Sequence, residues 1–211
     1  VGAYTYDWDN GETGATATNL AVGTHTVTAT DANGCTATQT VAITEPVALS
    51  VATAVDQDVS CNGGIDGGAT ATASDGTSGY TYVWSNGETG ASATALSVGQ
   101  HSVTATDANG CTAVTTVTIT EPAALTLSGV VTDVTCNGAL NGAINITVGG
   151  GTTAYTYAWT GTGVTAGAED QTGLSGGTYS VVITDGEGCT ISATYTIDEA
   201  TDVVLTGTGV D

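Results

Sequence analysis

The sequence repeats itself with a period of 75 or 76 residues, and this repeat limits the possible folds more than any other feature. Residues 4–14 recur with few changes as residues 80–90. Trp8 is followed by Trp84 after 76 residues, and Trp84 is followed by Trp159 after a further 75. Such a period is too long for one coil of a solenoid and suits a small independent domain. We therefore predict a tandem array of similar modules.

The end of each copy carries a short recurring sequence, which sets the expected module boundaries. Residues 43–46 and 119–122 read Ile-Thr-Glu-Pro, and residues 197–200 read Ile-Asp-Glu-Ala. The predicted divisions are the C-terminal part of a module at 1–46 (module one), complete modules at 47–122 (module two) and 123–199 (module three), and the start of a further module at 200–211. From this division we expect a segment of a longer repeat protein, with short, stiff connections between its modules.

Alternating apolar and polar residues within each module predict β-strands. In residues 100–106, for example, His101, Val103 and Ala105 fall on one face of a strand, which is a period of two rather than 3.6. Short runs of this kind between turn signals are typical of an all-β, immunoglobulin-like sandwich. In module two we expect strands near residues 48–55, 68–73, 80–84, 91–96, 100–106 and 111–120. No segment predicts a helix.

Two Asn-Gly pairs predict the hairpin turns of module two. Asn86-Gly87 and Asn109-Gly110 each lie between predicted strands. Both central residues of a type I′ turn have positive φ, and Asn and Gly adopt that conformation most readily. We therefore expect type I′ turns at both places.

The charge of the chain excludes several classes of partner. The sequence has 21 Asp and Glu, no Lys or Arg, and a formal net charge of −21. Nucleic acids are bound by Lys and Arg that neutralise phosphates, and an anionic membrane surface repels an acidic chain. No apolar run approaches the ~20 residues of a membrane span. Because 40% of the residues are hydrophobic and alternate with polar ones, we predict a folded protein that neither binds nucleic acid nor inserts into a membrane.

Five cysteines are distributed so that each complete module holds two. Cys61 and Cys111 lie in module two, Cys136 and Cys189 lie in module three, and Cys35 lies in module one. We predict the disulfides Cys61–Cys111 and Cys136–Cys189, one within each complete module, with Cys35 unpaired. Each would stabilise its module by about 4 kcal/mol on a chain-entropy estimate. Zinc binding by the thiolates is the alternative, and the lack of a Cys-x-x-Cys pair argues against it. Disulfides indicate a location outside the reducing cytosol.

The two histidines occupy a repeated position. His25 and His101 each follow the pattern Leu-x-x-Gly-x, and Tyr179 has the same place in module three. A position that accepts either His or Tyr suits a corner residue that packs and donates one hydrogen bond, as in the tyrosine corner of β-sandwiches. We expect this structural role in preference to catalysis or metal binding.

A ladder of aromatic residues recurs in every copy. In module two it consists of Tyr80, Tyr82 and Trp84, which point to one face of a strand. These rings could stack on sugars and form a glycan-binding site, or they could fill the core, since the other inward residues of module two are small. We favour the core and keep glycan stacking as the alternative.

Acidic residues recur in the loops and could bind calcium. Asp56 and Asp58 precede the first cysteine of module two, Asp107 precedes the second, and Glu121 lies at the junction with module three. Carboxylate oxygens are hard ligands of the kind that Ca²⁺ prefers, although the spacing fits no EF-hand. The alternative is a solvated acidic surface that keeps the chain soluble and extended.

The sequence contains no catalytic motif. It has no Gly-x-Ser-x-Gly, no phosphate-binding loop and no cluster of His and Cys. Paired carboxylates could in principle hydrolyse glycosides, but here they repeat with the modules, and a small sandwich offers no deep pocket around them. We therefore expect a chain without enzymatic activity.

The repeated residues resemble those of the SprB repeat family. In module two the resemblance is carried by residues 61–63, 80–87, 99–111 and 119–122. It covers essentially the whole chain, although module three departs from the pattern after Trp159 and at its end. SprB repeats occur in very large surface adhesins of gliding Bacteroidota.

The resemblance implies export by the type IX secretion pathway, display as a cell-surface filament, and a role in adhesion during gliding motility. We therefore expect an extracellular structural or adhesive segment of such a filament. Its expected partners are the neighbouring repeats of the same chain and a surface or glycan that the sequence does not identify. Two alternatives stay open: a carbohydrate-binding repeat that uses the aromatic ladder, and a passive spacer in a larger secreted protein.

Overall fold

The computed structural model describes residues 2–201, and all of its regular elements are β-strands. Module one contains β1 (Thr5–Trp8), β2 (Gly23–Thr30) and β3 (Thr36–Ile43). Module two contains β4 (Ser50–Gln57), β5 (Gly67–Ser74), β6 (Thr81–Trp84), β7 (Ser92–Leu96), β8 (Gly99–Thr106) and β9 (Thr112–Ile119). Module three contains β10 (Thr126–Thr132), β11 (Gly142–Gly149), β12 (Thr156–Thr160), β13 (Gln171–Leu174), β14 (Gly177–Thr184) and β15 (Thr190–Ile197).

The predicted start of a further module falls mostly at residues 202–211, which lie outside the described residues. Within the part that the structure describes, no helix has the length and hydropathy needed to cross a membrane.

Module two folds as two three-stranded antiparallel sheets that pack face to face. One sheet has the strand order β4-β5-β7 and the other has the order β6-β8-β9. Module three repeats this arrangement, with the orders β10-β11-β13 and β12-β14-β15. In an immunoglobulin constant-type sandwich, strands A, B and E share one sheet with D, and strands C, F and G form the other. Both modules have this order without strand D, which confirms the predicted all-β, immunoglobulin-like sandwich.

The six predicted strands of module two are confirmed, each to within two residues at both ends. In β8, Val103 and Ala105 are fully buried, whereas Thr104 between them is half-buried. Successive side chains of a strand point to opposite faces, so one face of β8 fills the core and the other carries Thr and Ser. The period of two in the sequence is therefore the pattern of burial in the fold.

The core of each sandwich is built from both sheets around one tryptophan. In module two Trp84 is 2% exposed, and its neighbours on β5 include the small residues Ala69 and Ala71. In module three the corresponding strand β11 carries Ile144 and Ile146 instead. The tryptophan therefore supplies a larger share of the core volume in module two than in module three.

The first and last strands of module two run in the same direction. The Thr53 hydroxyl in β4 donates to the carbonyl oxygen of Thr116 in β9 at 3.1 Å. Further along both strands, the N–H of Val59 donates to the carbonyl oxygen of Thr120 at 3.0 Å. The chain therefore enters at the start of β4 and leaves at the end of β9, at the opposite end of the module. A strand of eight residues, such as β4, is about 26 Å long, which gives the approximate separation of the two ends.

Module one consists of a single antiparallel sheet with the order β1-β2-β3. This sheet corresponds to β6-β8-β9 of module two. Its apolar face is more open: Val41 is 39% exposed, whereas the corresponding Val117 of module two is 7% exposed. The described residues place no second sheet against this face.

The hairpin turns differ from the predicted type I′ geometry. Gly110 has a φ of 83°, but Asn109 does not have positive φ. In the other pair, Gly87 has positive φ and Asn86 does not. The N–H of Gly110 donates to the carbonyl oxygen of Asp107 at 3.0 Å. The N–H of Asp107 donates to the carbonyl oxygen of Cys111 at 2.9 Å. This is the three-residue hairpin loop in which a type I turn precedes one residue in the left-handed region. The Asp107 carboxylate accepts from the N–H of Asn109 and stabilises this turn in place of type I′.

Candidate functional site

A disulfide joins module two to module three. Cys61 is bonded to Cys189, 128 residues further along the chain, with a Cα–Cα distance of 5.7 Å. Cys111 and Cys136 are free and exposed, and so is Cys35, as predicted. The structure therefore contradicts the predicted disulfides Cys61–Cys111 and Cys136–Cys189 and the expectation of one disulfide within each module. It makes the junction between the modules the candidate functional site.

The two cysteines of one module do not meet because they lie at opposite ends of the sandwich. Cys61 follows β4, where the chain leaves module two, and Cys111 precedes β9, where the chain enters it. These ends are about 26 Å apart, whereas a disulfide requires Cα atoms within ~7 Å of each other. In module three, Cys136 follows β10 and Cys189 precedes β15 in the same way. The second cysteine of module three is therefore next to the first cysteine of module two.

The loop that carries Cys61 is held by the end of its own module. The Glu121 carboxylate accepts from the N–H of Gly63 at 2.6 Å, and the Asn62 side chain donates to the carbonyl oxygen of Pro122 at 3.1 Å. Gly63 has a φ of 78°, which residues with a side chain seldom adopt. The loop is thereby tied to the linker that leads into module three.

The hairpin that carries Cys189 is held by a buried aspartate. Asp185 is 5% exposed, and its carboxylate accepts from the N–H groups of Cys189 at 2.8 Å, Glu187 at 3.0 Å and Thr152 at 2.9 Å. These bonds hold the pKa of Asp185 below its ordinary value, and the bond from Thr152 contributes most. Burial alone would raise the pKa. The backbone of Cys189 is thus fixed by bonds that do not involve the disulfide.

The corresponding hairpin of module two has the same bonds. The Asp107 carboxylate accepts from the N–H groups of Cys111 at 2.8 Å, Asn109 at 2.9 Å and Thr77 at 2.9 Å. The bond from Thr77 contributes most to a lowered pKa of Asp107. Sequence reasoning missed this role of the aspartate, although its signal is present: an Asp lies four residues before Cys35, Cys111 and Cys189 alike.

Few contacts besides the disulfide cross the junction. The Cys189 Sγ lies 3.5 Å from the carbonyl oxygen of Ser60, but a sulfur in a disulfide has no proton to donate, so this is a close contact only. No hydrogen bond of the described residues joins 47–122 to 123–199. A cleft of about 490 Å³ lies beside the disulfide, with Asn62 on one side and Leu125 on the other. The orientation of the two modules therefore depends on the linker and the disulfide.

The four carboxylates predicted as calcium ligands do not form one site. Asp58 and Glu121 lie at the exit end of module two, whereas Asp107 lies at the entry end. Their oxygens are used within the protein: Asp58 accepts from a backbone N–H at 2.7 Å, and Asp56 accepts from the Thr70 hydroxyl at 2.7 Å. Across residues 2–201, no three side chains of His, Cys, Asp or Glu are grouped as they would be around a metal ion. The spacing in the sequence did not show that backbone N–H groups take up these oxygens.

The aromatic ladder of module two lies mainly in the core. Trp84 is 2% exposed, and its indole N–H donates to the carbonyl oxygen of Gly90 at 3.0 Å. Tyr82 is half-buried against the core, and its hydroxyl accepts from the N–H of Ala73 at 3.0 Å. Tyr80 is also half-buried, and its hydroxyl donates to a backbone carbonyl at 2.6 Å. A sugar has no access to the ring of Trp84, which leaves Tyr80 and Tyr82 for any contact from outside.

The predicted corner residues are confirmed. His25 and His101 each make a 2.8 Å hydrogen bond from Nε2 to the carbonyl oxygen four residues earlier. The Tyr179 hydroxyl donates to the carbonyl oxygen four residues earlier at 2.9 Å. Each ring belongs to the third residue of its strand and closes the corner before that strand, as the tyrosine corner does.

Comparison with known proteins gives one family. The SprB repeat model matches residues 53–89 and 128–164, one segment in module two and one in module three. The comparison with curated proteins gave no match.

Two solved structures similar to the chain are arrays of immunoglobulin domains. The first is the crystal structure of the N-terminal eight Ig domains of Down syndrome cell adhesion molecule isoform 1.30.30, at 13% identity and a TM-score of 0.40, over 93% of this chain and 33% of that one. The second is Sidekick-1 immunoglobulin domains 1–5, at 12% identity and a TM-score of 0.31, over 92% of this chain and 51% of that one. The chain thus spans a third of the first structure and about half of the second.

In module two the matched segment contains residues 61–63 and 80–87 of the sequence resemblance and ends before residues 99–111 and 119–122. Residues 53–89 include Cys61 and the ladder up to Trp84, and residues 128–164 include Cys136 and Trp159. Each segment begins in the first strand of its module and ends beyond the tryptophan strand of the second sheet. Two segments of the chain therefore match the SprB repeat model, and each of them is part of an immunoglobulin-like β-sandwich module.

Proposed function

We propose that the chain is a structural and adhesive segment of a long extracellular filament on a cell surface, and that it acts mechanically, without catalysis. The observation that carries this proposal is the disulfide between Cys61 and Cys189, which joins one sandwich to the next. A binding domain that acts alone gains nothing from such a bond, whereas an array under load does. The SprB repeats extend the proposal to a gliding-motility adhesin exported by the type IX pathway.

Where the disulfide of the junction is absent, tension along the chain loads module two in shear. Force enters at the start of β4 and leaves at the end of β9, and these strands are parallel neighbours, so pulling slides one along the other. Thr53 is bonded to Thr116 near the middle of the two strands. At the exit end, the N–H of Thr120 donates to Asp58 at 2.7 Å, and its carbonyl oxygen accepts from Val59 at 3.0 Å. Bonds in shear are strained together rather than one after another, and this geometry resists unfolding under load.

The junction limits rotation of one module against the next. Six residues, 120–125, separate the end of β9 from the start of β10. The disulfide adds a second attachment point, at Cys61 on one module and Cys189 on the other. Two bodies joined at two points can turn only about the line through both, so the disulfide removes the other rotations between the modules.

The charge of the chain suits an extended filament. With a net charge of −21 and no Lys or Arg, neighbouring filaments repel one another, and no cationic side chain of this sequence can join them. The partners in this proposal are the neighbouring modules of the same filament and the surface or glycan that the filament contacts.

The experiment is performed on living cells that produce the protein. Antibodies raised against the full chain are coupled to beads, and the beads are tracked on the cell surface, with pre-immune antibodies as the control. We expect the beads to bind and to travel along the cell, and an excess of the free chain to block them. Beads that bind and stay in place would contradict the motility part of the proposal, and beads that never bind intact cells would contradict surface display.

A second candidate function, glycan binding, rests on a repeated surface feature. A shallow cleft lies beside Tyr80, Tyr82 and Val83, and a cleft with the corresponding residues, including Tyr4 and Tyr6, occurs in module one. Flat aromatic side chains that are open on one side can stack on sugar rings. On this alternative, the full chain binds members of a glycan array, and Tyr80→Ala abolishes binding while the far-UV circular dichroism is unchanged. If the chain binds no glycan, the mechanical role is the only candidate function that is left.

A further inference from the structure

We propose that the disulfide between Cys61 and Cys189 is one instance of a rule of the repeat: the first cysteine of each module bonds to the second cysteine of the next. On this rule, Cys111 bonds to the first cysteine of a preceding module of the same kind. Cys136 bonds to the second cysteine of a following module of the same kind. This inference concerns the covalent connections of the array and goes beyond the proposed function. It holds whether or not the chain is adhesive.

The loop of Cys136 has the geometry of the loop that is already bonded. Cys136 follows the first strand of module three and is exposed at the exit end of that module. The N–H of Gly138 donates to the carboxylate of Glu199, the residue that ends the module, as happens in the corresponding loop of module two. The φ of Gly138 is 73°, close to the value of its counterpart. The thiol of Cys136 is thus presented to the next module as Cys61 is presented to module three.

The hairpin of Cys111 likewise has the geometry of its bonded counterpart. Asp107 accepts from Cys111 at 2.8 Å and from Thr77 at 2.9 Å, and the two equivalent bonds of Asp185 have the same lengths. Even in module one, which has a single sheet, Asp31 accepts from the N–H of Cys35 at 2.8 Å. The second cysteine of every copy is therefore held ready by its aspartate.

The clefts at the two junctions are formed alike on the side of the second cysteine. Around Cys189, one side of the cleft is formed by module three, including Leu125, and the other side by Cys61 and Asn62. Around Cys111, the corresponding side is formed by module two, including Leu49, in a cleft of about 400 Å³. Glu45 and Pro46 of module one also line this cleft, but the described residues place no cysteine-bearing loop there as Cys61 and Asn62 do at the other junction. A first-cysteine loop with the sequence Cys-Asn-Gly fits this place.

Each bond forms by oxidation of two thiols. The two cysteines lose two protons and two electrons to an oxidising disulfide such as oxidised glutathione, which leaves as two thiols. Oxidants of this class are present outside the reducing cytosol, where we place the protein.

The rule changes the path of force along the array. The disulfide between Cys61 and Cys189 bypasses 128 residues, whereas Cys136 follows Cys111 by only 25 positions. Where every junction is bonded, the shortest covalent route alternates between a disulfide and a short stretch of chain. Such a stretch contains the last strand of one module, the linker, and the first strand of the next module. Most of each module then lies outside the covalent route that carries the load.

The test uses the full chain and a variant of it in which residues 123–200 occur twice in tandem, so that Ala200 takes the place of Pro122 at the new junction. The second copy carries Cys136→Ser, so that Cys136 of the first copy is the first cysteine under test, and the second copy is the module that follows it. Both proteins are oxidised in a glutathione buffer, digested with a protease that cleaves before Asp, and mapped by mass spectrometry without reduction. In the full chain we expect a link between peptides 58–65 and 185–197, and free thiols in peptides 107–132 and 133–169. In the tandem variant we expect a second link, between 133–169 and 185–197.

The matched control adds Cys189→Ser to the second copy alone. In that protein the thiol of Cys136 should be free again, while the link from Cys61 stays in place. A Cys136 that remains free in the tandem variant would overturn the rule. The rule would also be overturned if Cys136 were still bonded in the control and Cys61 had lost its link. Cys136 would then be bonded to Cys189 of its own copy, within one module. Circular dichroism of each protein verifies that the sandwiches are folded.

Discussion

Trp84 is the largest side chain in the core of module two, and its neighbours Ala69 and Ala71 are too small to close the space that it would leave. We predict that Trp84→Ala destabilises module two by about 3–5 kcal/mol, since the cavity adds to the lost transfer free energy. Urea unfolding followed by circular dichroism measures the effect.

Tyr82→Phe is the matched control for this prediction. It keeps the ring and removes only the hydroxyl that accepts from the N–H of Ala73, so we expect a loss of about 1 kcal/mol. A Trp84→Ala variant as stable as Tyr82→Phe would show that the tryptophan is not a core residue, and it would revive the interpretation of the ladder as a binding surface.

His25 and Asp9 form the one ion pair of the described residues, with 2.9 Å between Nδ1 and Oδ1. The hydrogen bond to Asp9, with that to the Ala21 carbonyl, raises the pKa of His25 above its ordinary value of 6.5. Because the folded-state pKa is the higher one, the contribution of the pair to stability is complete below the ordinary pKa and is lost as the pH rises through the folded pKa. We predict that Asp9→Ser, which installs the residue that module two has at this place, lowers the pKa of His25.

An NMR titration of the imidazole signals between pH 4 and 9 measures this change. The two histidine signals are assigned with the variant His101→Gln, which leaves His25 as the only imidazole. A pKa of His25 that is the same with and without Asp9 would mean that the ion pair does not form in solution.

At the scale of elements, the second-cysteine hairpins depend on their buried aspartates. Backbone N–H groups, Thr77 first for Asp107 and Thr152 first for Asp185, lower the pKa of both carboxyls below 3.8. A group whose folded-state pKa is lowered stabilises the fold above the ordinary pKa, and this stability is lost as the pH falls through the folded pKa. We predict that the double variant Asp107→Asn/Asp185→Asn melts roughly 5 °C or more below the native chain at pH 7, and that the difference closes as the pH falls below 3.8.

The control for the hairpins is Glu187→Gln, which removes an exposed carboxylate from the same turn. Melting followed by circular dichroism at pH 7, 5, 4, 3 and 2 compares the three proteins. A difference between the native chain and the aspartate variant that stays constant down to pH 2 would contradict the prediction, because it could not arise from ionised carboxylates.

The elements that could be predicted from the sequence are those set by local chemistry. The strands follow from the alternation of apolar residues, as β8 shows with Val103 and Ala105 buried. The corner role of His101 follows from a position that also accepts Tyr, because both residues offer a flat ring with a hydrogen-bonding tip. The turn type at Asn109 could not be predicted from the Asn-Gly pair, since it depends on the carboxylate of Asp107 two residues earlier.

At the scale of the whole molecule, the disulfide could not be predicted from spacing alone. Two cysteines in each module suggest a bond within the module, and the loop lengths allow it. The decisive fact is the direction of strands: Cys61 ends the first strand and Cys111 begins the last, and these strands are parallel. In any sandwich with that topology, such cysteines lie at opposite ends. The same topology separates two of the possible calcium ligands, because Asp58 and Asp107 are also at opposite ends.

Pulling a single molecule by its two ends tests how far the disulfide shapes the mechanics of the chain. The bond between Cys61 and Cys189 keeps 128 residues out of the extended path, and each residue adds about 3.5 Å when stretched. We predict that the fully unfolded chain is about 450 Å longer after reduction than before. Disulfides within the modules, Cys61–Cys111 and Cys136–Cys189, would instead give a change of about 360 Å.

Two variants make the measurement independent of the reductant. Cys61→Ser should show the full length without reduction, because Cys189 then has no partner within reach, whereas Cys111→Ser should behave as the native chain, since Cys111 is free. If Cys111→Ser lengthened the oxidised chain, the bond would lie within module two and the modules would be joined by the linker alone. If Cys61→Ser alone lengthened it, the array would be bonded across its junction, and a filament of such modules could bear load while most of its residues remain folded and unstretched.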